Sequence, residues 1–205
     1  MAQPLPHPIH PGKMTFEEFL HWGDEDTYAE WVDGEIIELT SPSFRHQKIV
    51  DYLMALLQHF LYAHPLGEVC SAPFLMRLPK RPSGRMPDIL FIAKENLGRI
   101  KQNYLNGPAD LVVEIVSPES KKRDREDKFS EYAQAGIREY WLIDIERKQA
   151  EFYQLGDKNA YRPVSINQDG IYHSAVLSGL WLKVDWLWQE SLPPLLEVLK
   201  EWRLV

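Results

Sequence analysis

The chain has 205 residues, 44% of them hydrophobic and 12% aromatic, with a formal net charge of −7. That is enough apolar material for one real core, and the acidic balance excludes a basic domain that holds nucleic acid by bulk electrostatics. A single cysteine, Cys70, excludes a disulfide framework or thiolate zinc site and points to a reduced, cytoplasmic setting.

Residues 1–13 are proline-rich and polar, with neither the basic nor the apolar region of a signal peptide, and read as a flexible tail before one domain over 14–205. No stretch approaches the roughly 20 apolar residues that span a bilayer, so no membrane partner is expected. MTFEEFLHWG predicts a short amphipathic helix, with Thr15 as N-cap, Glu18 in capping-box position and Gly23 near the stop. YAEWVDGEIIELTS predicts two strands around an Asp-Gly turn. From Ser43 the spacing of Ile49, Leu53, Leu56, Leu57, Phe60 and Leu61 predicts a long helix that stops before Pro65.

GEVCSAPFLMRLP and PDILFIA predict strands joined by a basic loop, and ENLGRIKQNYLNGPA a short helix plus a turn. The basic runs KRPSGR and KKRDR read as a solvated loop and helix end. DLVVEIVSPES predicts a strand covered on both faces, RDREDKFSEYAQAG a helix ending at Gly136, and REYWLIDI with AEFYQLG a second hairpin. Short strands and a closing helix complete one α/β (α+β) domain, a mixed sheet flanked by helices. The tryptophans of LWLKVDWLW invite a base-stacking role, but the leucines between them favour packing along a strand or a dimer contact.

One residue resists a purely structural account. Side chains alternate along a strand, so Leu111, Val113 and Ile115 share one face and Val112, Glu114 and Val116 the other. An unpaired carboxylate inside such a run would cost several kcal/mol. Asp88 opens a neighbouring strand, and pairing of the two strands would bring both carboxylates to one end, where each raises the other's pKa unless a cation intervenes. Mg²⁺ takes one or two carboxylates plus phosphate oxygens and water, so the pair is half of a magnesium site; the alternative is two separate strand-end carboxylates bonded to backbone. On the following helix Asp124, Lys128 and Tyr132 fall at i, i+4 and i+8. Lys128 either points back over the strand end or pairs with Asp124 at the surface.

VDGEIIELTSPSFRHQKIV, MPDILFI, DLVVEIVSPES and RDREDKFSEYAQAGIREYWLID, in this order, resemble the bacterial Uma-two family, of the restriction-endonuclease-like PD-(D/E)XK fold. The resemblance covers nearly the whole chain. It implies a nuclease core and metal-dependent phosphodiester hydrolysis, with DNA as substrate, Mg²⁺ or Mn²⁺ as cofactor and a homodimer as the working form. It maps Asp88 and Glu114 onto the metal ligands, and Glu30 onto an N-terminal glutamate that completes such sites. The motif's lysine would fall at Val116, a departure; in this family a lysine on the next helix takes its place, which maps onto Lys128. His46 is a further candidate beside the pocket. A nuclease fold that no longer cuts, serving as a DNA-binding or protein-interaction module, is the second reading. A two-carboxylate glycosidase is a weaker third.

Overall fold

The computed structural model describes residues 12–23 and 27–205; the tail expected over residues 1–13 lies, up to residue 11, outside the described residues. Helix α1 (Phe16–Trp22) starts with the expected reciprocal cap: the Glu18 N–H donates to the Thr15 hydroxyl while the Thr15 N–H donates to the Glu18 carboxylate. Strands β1 (Ala29–Val32) and β2 (Glu35–Glu38) form the predicted hairpin. Its turn puts Asp33 and Gly34 at φ of 51° and 93°, the left-handed pair that matches strand twist. Helix α2 (Phe44–Ala63) is capped by the Ser43 side chain and buries the apolar stripe from Ile49 to Leu61.

Then come β3 (Gly67–Ser71), β4 (Leu75–Leu78), β5 (Ser83–Arg85), β6 (Ile89–Ala93), β7 (Tyr104–Asn106) and β8 (Leu111–Val116). A π-helical stretch, Arg123–Lys128, runs into α3 (Phe129–Ala135), which Gly136 ends at a φ of 94°. After it lie β9 (Glu139–Asp144), β10 (Gln149–Leu155), β11 (Tyr161–Val164), β12 (Ile171–His173), β13 (Trp181–Lys183) and α4 (Leu195–Glu201).

The main sheet has the order β11-β10-β9-β8-β6-β3, with β8 and β9 parallel and the other pairs antiparallel. A second sheet runs β2-β1-β5-β4-β7. The alternation along β8 is as expected. Leu111, Val113 and Ile115 pack in one core with α2, while Val112 and Val116 face Met76 and Leu78 of β4 and Tyr132 of α3. Each such side chain contributes about 1.5–3 kcal/mol by leaving water, so both layers are fixed on β8 and its ends are held in place.

Three local expectations are corrected. KRPSGR is not a solvated loop throughout: it contains β5, and Arg85 is 2% exposed. A short strand, β7, forms where a turn was expected, because it pairs parallel with β4. The last tryptophans do not continue a strand; Val184–Trp188 is a 3₁₀ helix that packs Trp186 and Leu187 into the α2 core. No helix among the described residues is long and apolar enough to cross a membrane.

Candidate active site

The antiparallel register Ile89↔Val113 places Asp88, one residue before β6, beside Glu114 at the same end of the sheet. Asp88 Oδ2 accepts the Ile115 N–H at 2.7 Å and lies 3.3 Å from His46 Nε2, so β8 and α2 both orient it. Glu114 Oε1 accepts from Lys128 Nζ and from the Tyr132 hydroxyl, each at 2.9 Å. Both donors converge on one oxygen, and Oε2 carries neither of them. Lys128 Nζ also lies 2.9 Å from Glu30 Oε1 and 3.6 Å from Asp124 Oδ1.

A further charged layer lies behind the lysine. Arg85 Nη1 donates to Glu30 Oε2 at 2.9 Å, Arg85 Nη2 to Glu131 Oε2 at 2.6 Å, and the Ser83 hydroxyl donates to Glu131 Oε1. The Met86 N–H completes the set on Glu30 Oε1 at 3.1 Å. Glu30 is 0% exposed and Lys128 2%. Charges so deep persist only because each is paired and hydrogen-bonded.

The chain reaches this geometry through its local structure. Ser117 and Ser120 exchange backbone-to-side-chain hydrogen bonds, closing the SPES turn that sends the chain from β8 back across the strand ends. The π-helical stretch follows at once, and the Tyr140 hydroxyl from β9 donates to its Asp124 carbonyl at 3.1 Å. Asp124 and Lys128 are thereby turned inward, though a run as charged as RDREDK reads as solvent-facing.

The electrostatics differ from one carboxylate to the next. Burial pushes the Glu30 carboxyl up, but Lys128 and then Arg85 outweigh it and hold the group down at about 2. Burial, with Asp124, Asp88 and Glu30 adding to it against Lys128, pushes Glu114 up to about 8. Burial also raises Asp124, against the pull of Lys128. Burial alone would lower Lys128, yet Glu114, Glu30 and Asp124 together raise it, so it stays an ammonium. His46 is opposed by burial and raised by its bond to Asp88.

Asp88, Glu114, Asp124, Lys128, His46 and Tyr28 line a cleft of about 500 Å³. Of the residues expected from the sequence, Asp88, Glu114 and Lys128 meet there. Glu30 lies behind the lysine and does not line the cleft. Arg85 and Glu131 were missed: Arg85 sits in a basic, proline-containing run, and it is buried because β5 is paired on both sides, with β1 and with β4. Tyr132 was signalled by its spacing, four residues after Lys128.

The donor set suits a hard divalent cation. Among the described residues no three His, Cys, Asp or Glu side chains form a metal cage. Mg²⁺ does not require one, since it binds through one or two carboxylates and keeps water or phosphate oxygens. Glu30, Glu114 and Asp124 all lie within ion-pair distance of Lys128, and Asp124 Oδ1 is buried without a hydrogen-bond partner. A cation near Asp88 and Glu114 would relieve the repulsion from Asp124, Asp88 and Glu30 that adds to burial in raising Glu114.

A family model, Uma2, described as "Putative restriction endonuclease", matches residues 16–185. The chain belongs to the Uma2 family. No curated protein matches this Uma2 chain. A crystal structure described as "a putative nuclease belonging to DUF820", from Anabaena variabilis ATCC 29413, aligns with a TM-score of 0.72 at 18% identity, over 85% of this chain and 97% of that one. Likeness at that identity shows a shared fold, a mixed sheet flanked by helices. The family description names an endonuclease, which sets the coarse class of this Uma2 chain as nuclease-like.

Proposed function

We propose that this Uma2 protein is a metal-dependent endonuclease that hydrolyses DNA phosphodiester bonds, with Asp88 and Glu114 as the ligands of Mg²⁺ or Mn²⁺. The observation that carries the reading is the convergence of Asp88, Glu114 and Lys128 at one sheet end, on the wall of an open cleft. When bound, the divalent ion supplies a water of lowered pKa and a polarised phosphoryl oxygen.

The chain's own groups do the rest. Lys128, kept protonated by its carboxylates, orients the attacking water or offsets charge on the pentavalent phosphorus. Glu30 acts through Lys128, as a positioning residue that fixes the ammonium. His46 and the Ile115 N–H hold the Asp88 carboxylate. A homodimer would let two such clefts reach both strands of a duplex, and the lone cysteine fits a cytoplasmic setting.

The test is cleavage of supercoiled, linear and branched DNA with Mg²⁺ or Mn²⁺ by wild type, Asp88→Ala and Lys128→Ala. Metal-dependent cutting that both variants lose supports the full assignment. Loss in Asp88→Ala alone removes Lys128 from the mechanism. Absence of cutting by wild type, with metal still bound, favours the non-cutting module, and sedimentation of the same samples tests the dimer.

A further inference from the structure

The C-terminal tryptophans do not share one role. Trp186 is buried, and Trp181 packs on Trp186 and Trp202 with ring centroids 5.4 and 6.3 Å apart. Trp188, at the end of the 3₁₀ helix, is half-buried and stacks on no other ring among the described residues. It lines a second hollow of about 290 Å³, together with Arg45, Ile145, Lys148, Leu187 and Glu190. Arg45 and Ile145 also line the carboxylate cleft, so the two hollows share a wall.

This hollow is built rather than incidental. The Arg45 guanidinium, at the start of α2, donates to the Leu187, Gln189 and Glu190 carbonyls at 3.0, 2.6 and 3.3 Å, fixing the segment that carries Trp188. Lys148 stands in the β9–β10 turn at a φ of 50°, exposed and in no ion pair among the described residues.

We propose that this hollow takes one unpaired nucleobase of the strand lying in the cleft, stacked on Trp188, with Lys148 against the adjoining phosphate. The proposal rests on the nuclease reading of the neighbouring cleft and names its substrate form. A lining that combines an indole with apolar Ile145 and Leu187 suits a planar ring, and the Glu190 carboxylate disfavours a phosphate inside. Bases in a duplex stay stacked on each other, so only an unpaired or extruded base can enter.

The test is anisotropy binding of a short fluorescein-labelled single strand and of the same strand in a blunt duplex, with Ca²⁺ replacing Mg²⁺. Wild type is compared with Trp188→Phe, Trp188→Ala and Lys148→Glu. We expect Trp188→Ala to weaken single-strand binding about tenfold, Trp188→Phe to retain most of it, and duplex binding to change little. Lys148→Glu, at an exposed turn, should weaken the single strand without disturbing the core. A strand carrying 5-iodouracil should crosslink to Trp188.

Single-strand binding at the wild-type level in both Trp188→Ala and Lys148→Glu overturns the subsite. So does equal loss on single strand and duplex, which marks damage to the groove wall, or wild type that binds no single strand. Mg²⁺-dependent cleavage by wild type beside any of these results leaves the carboxylate site standing. Its absence takes both readings down.

Discussion

At Glu114 a carboxylate stands on a strand whose other side chains are apolar, and burial with its acidic neighbours pushes it up to about 8. A group raised from 4.5 to about 8 favours the fold most fully below pH 4.5, and that contribution is lost as pH rises through about 8. In metal-free protein the stability of wild type should therefore fall relative to Glu114→Gln across that window, by urea unfolding, with added Mg²⁺ reducing the fall. A difference independent of pH would contradict the assigned environment. Glu30 has the opposite sign: held at about 2 against an ordinary 4.5, it stabilises above pH 4.5 and the gain is lost as pH falls through about 2. Glu30→Gln should cost about 3 kcal/mol at neutral pH, by urea unfolding, and progressively less on acidification. Glu114 was legible as an anomaly within an apolar strand, and Asp88 by its place before the next one. The depth of Glu30 was not, because nothing within AEWV announces that Arg85 and Lys128 close over it.

Among the elements, the helical run after β8 decides the site. Its π-helical turn carries Lys128 inward to Glu114, where the proposed nuclease reading gives it the role that the motif assigns to position 116. Val116 nevertheless shares the Glu114 face of β8 and lines the same cleft. Lys128→Met should lose about 3–5 kcal/mol of stability, since it leaves Glu30 and Glu114 without their shared cation, and cleavage should fall about a hundredfold or more. Adding Val116→Lys to that variant should restore part of the cleavage, measured on folded protein by initial rates. No recovery would mean that the lysine must approach from the helix side. The helix itself was legible from its periodicity and from Gly136. Its π geometry was not, and the Tyr140 hydroxyl that bonds its Asp124 carbonyl comes from a strand later in the chain.

Across the whole molecule, charge sets how nucleic acid can be met. A chain of net charge −7 repels DNA at long range, and the carboxylate cleft adds to this locally. Duplex and single-strand binding should both tighten about tenfold or more when Ca²⁺ is added to chelated protein, with a shallow salt slope set by few phosphate contacts. Binding indifferent to divalent cation would argue for an interface elsewhere on the surface. Hydrophobic periodicity and turn chemistry, which are local, were enough in the sequence to set the main helices, both hairpins and the two-faced strand β8, while leaving open whether Asp88 and Glu114 meet; the β6–β8 register decided that. Tertiary structure alone decided what surrounds them: β5 pairing that buries Arg85, the π turn that brings Lys128 inward, and the hollow beside the cleft that Trp188 lines at the edge of the core. Those outcomes depend on which distant segments share a wall, and no local pattern carries that information.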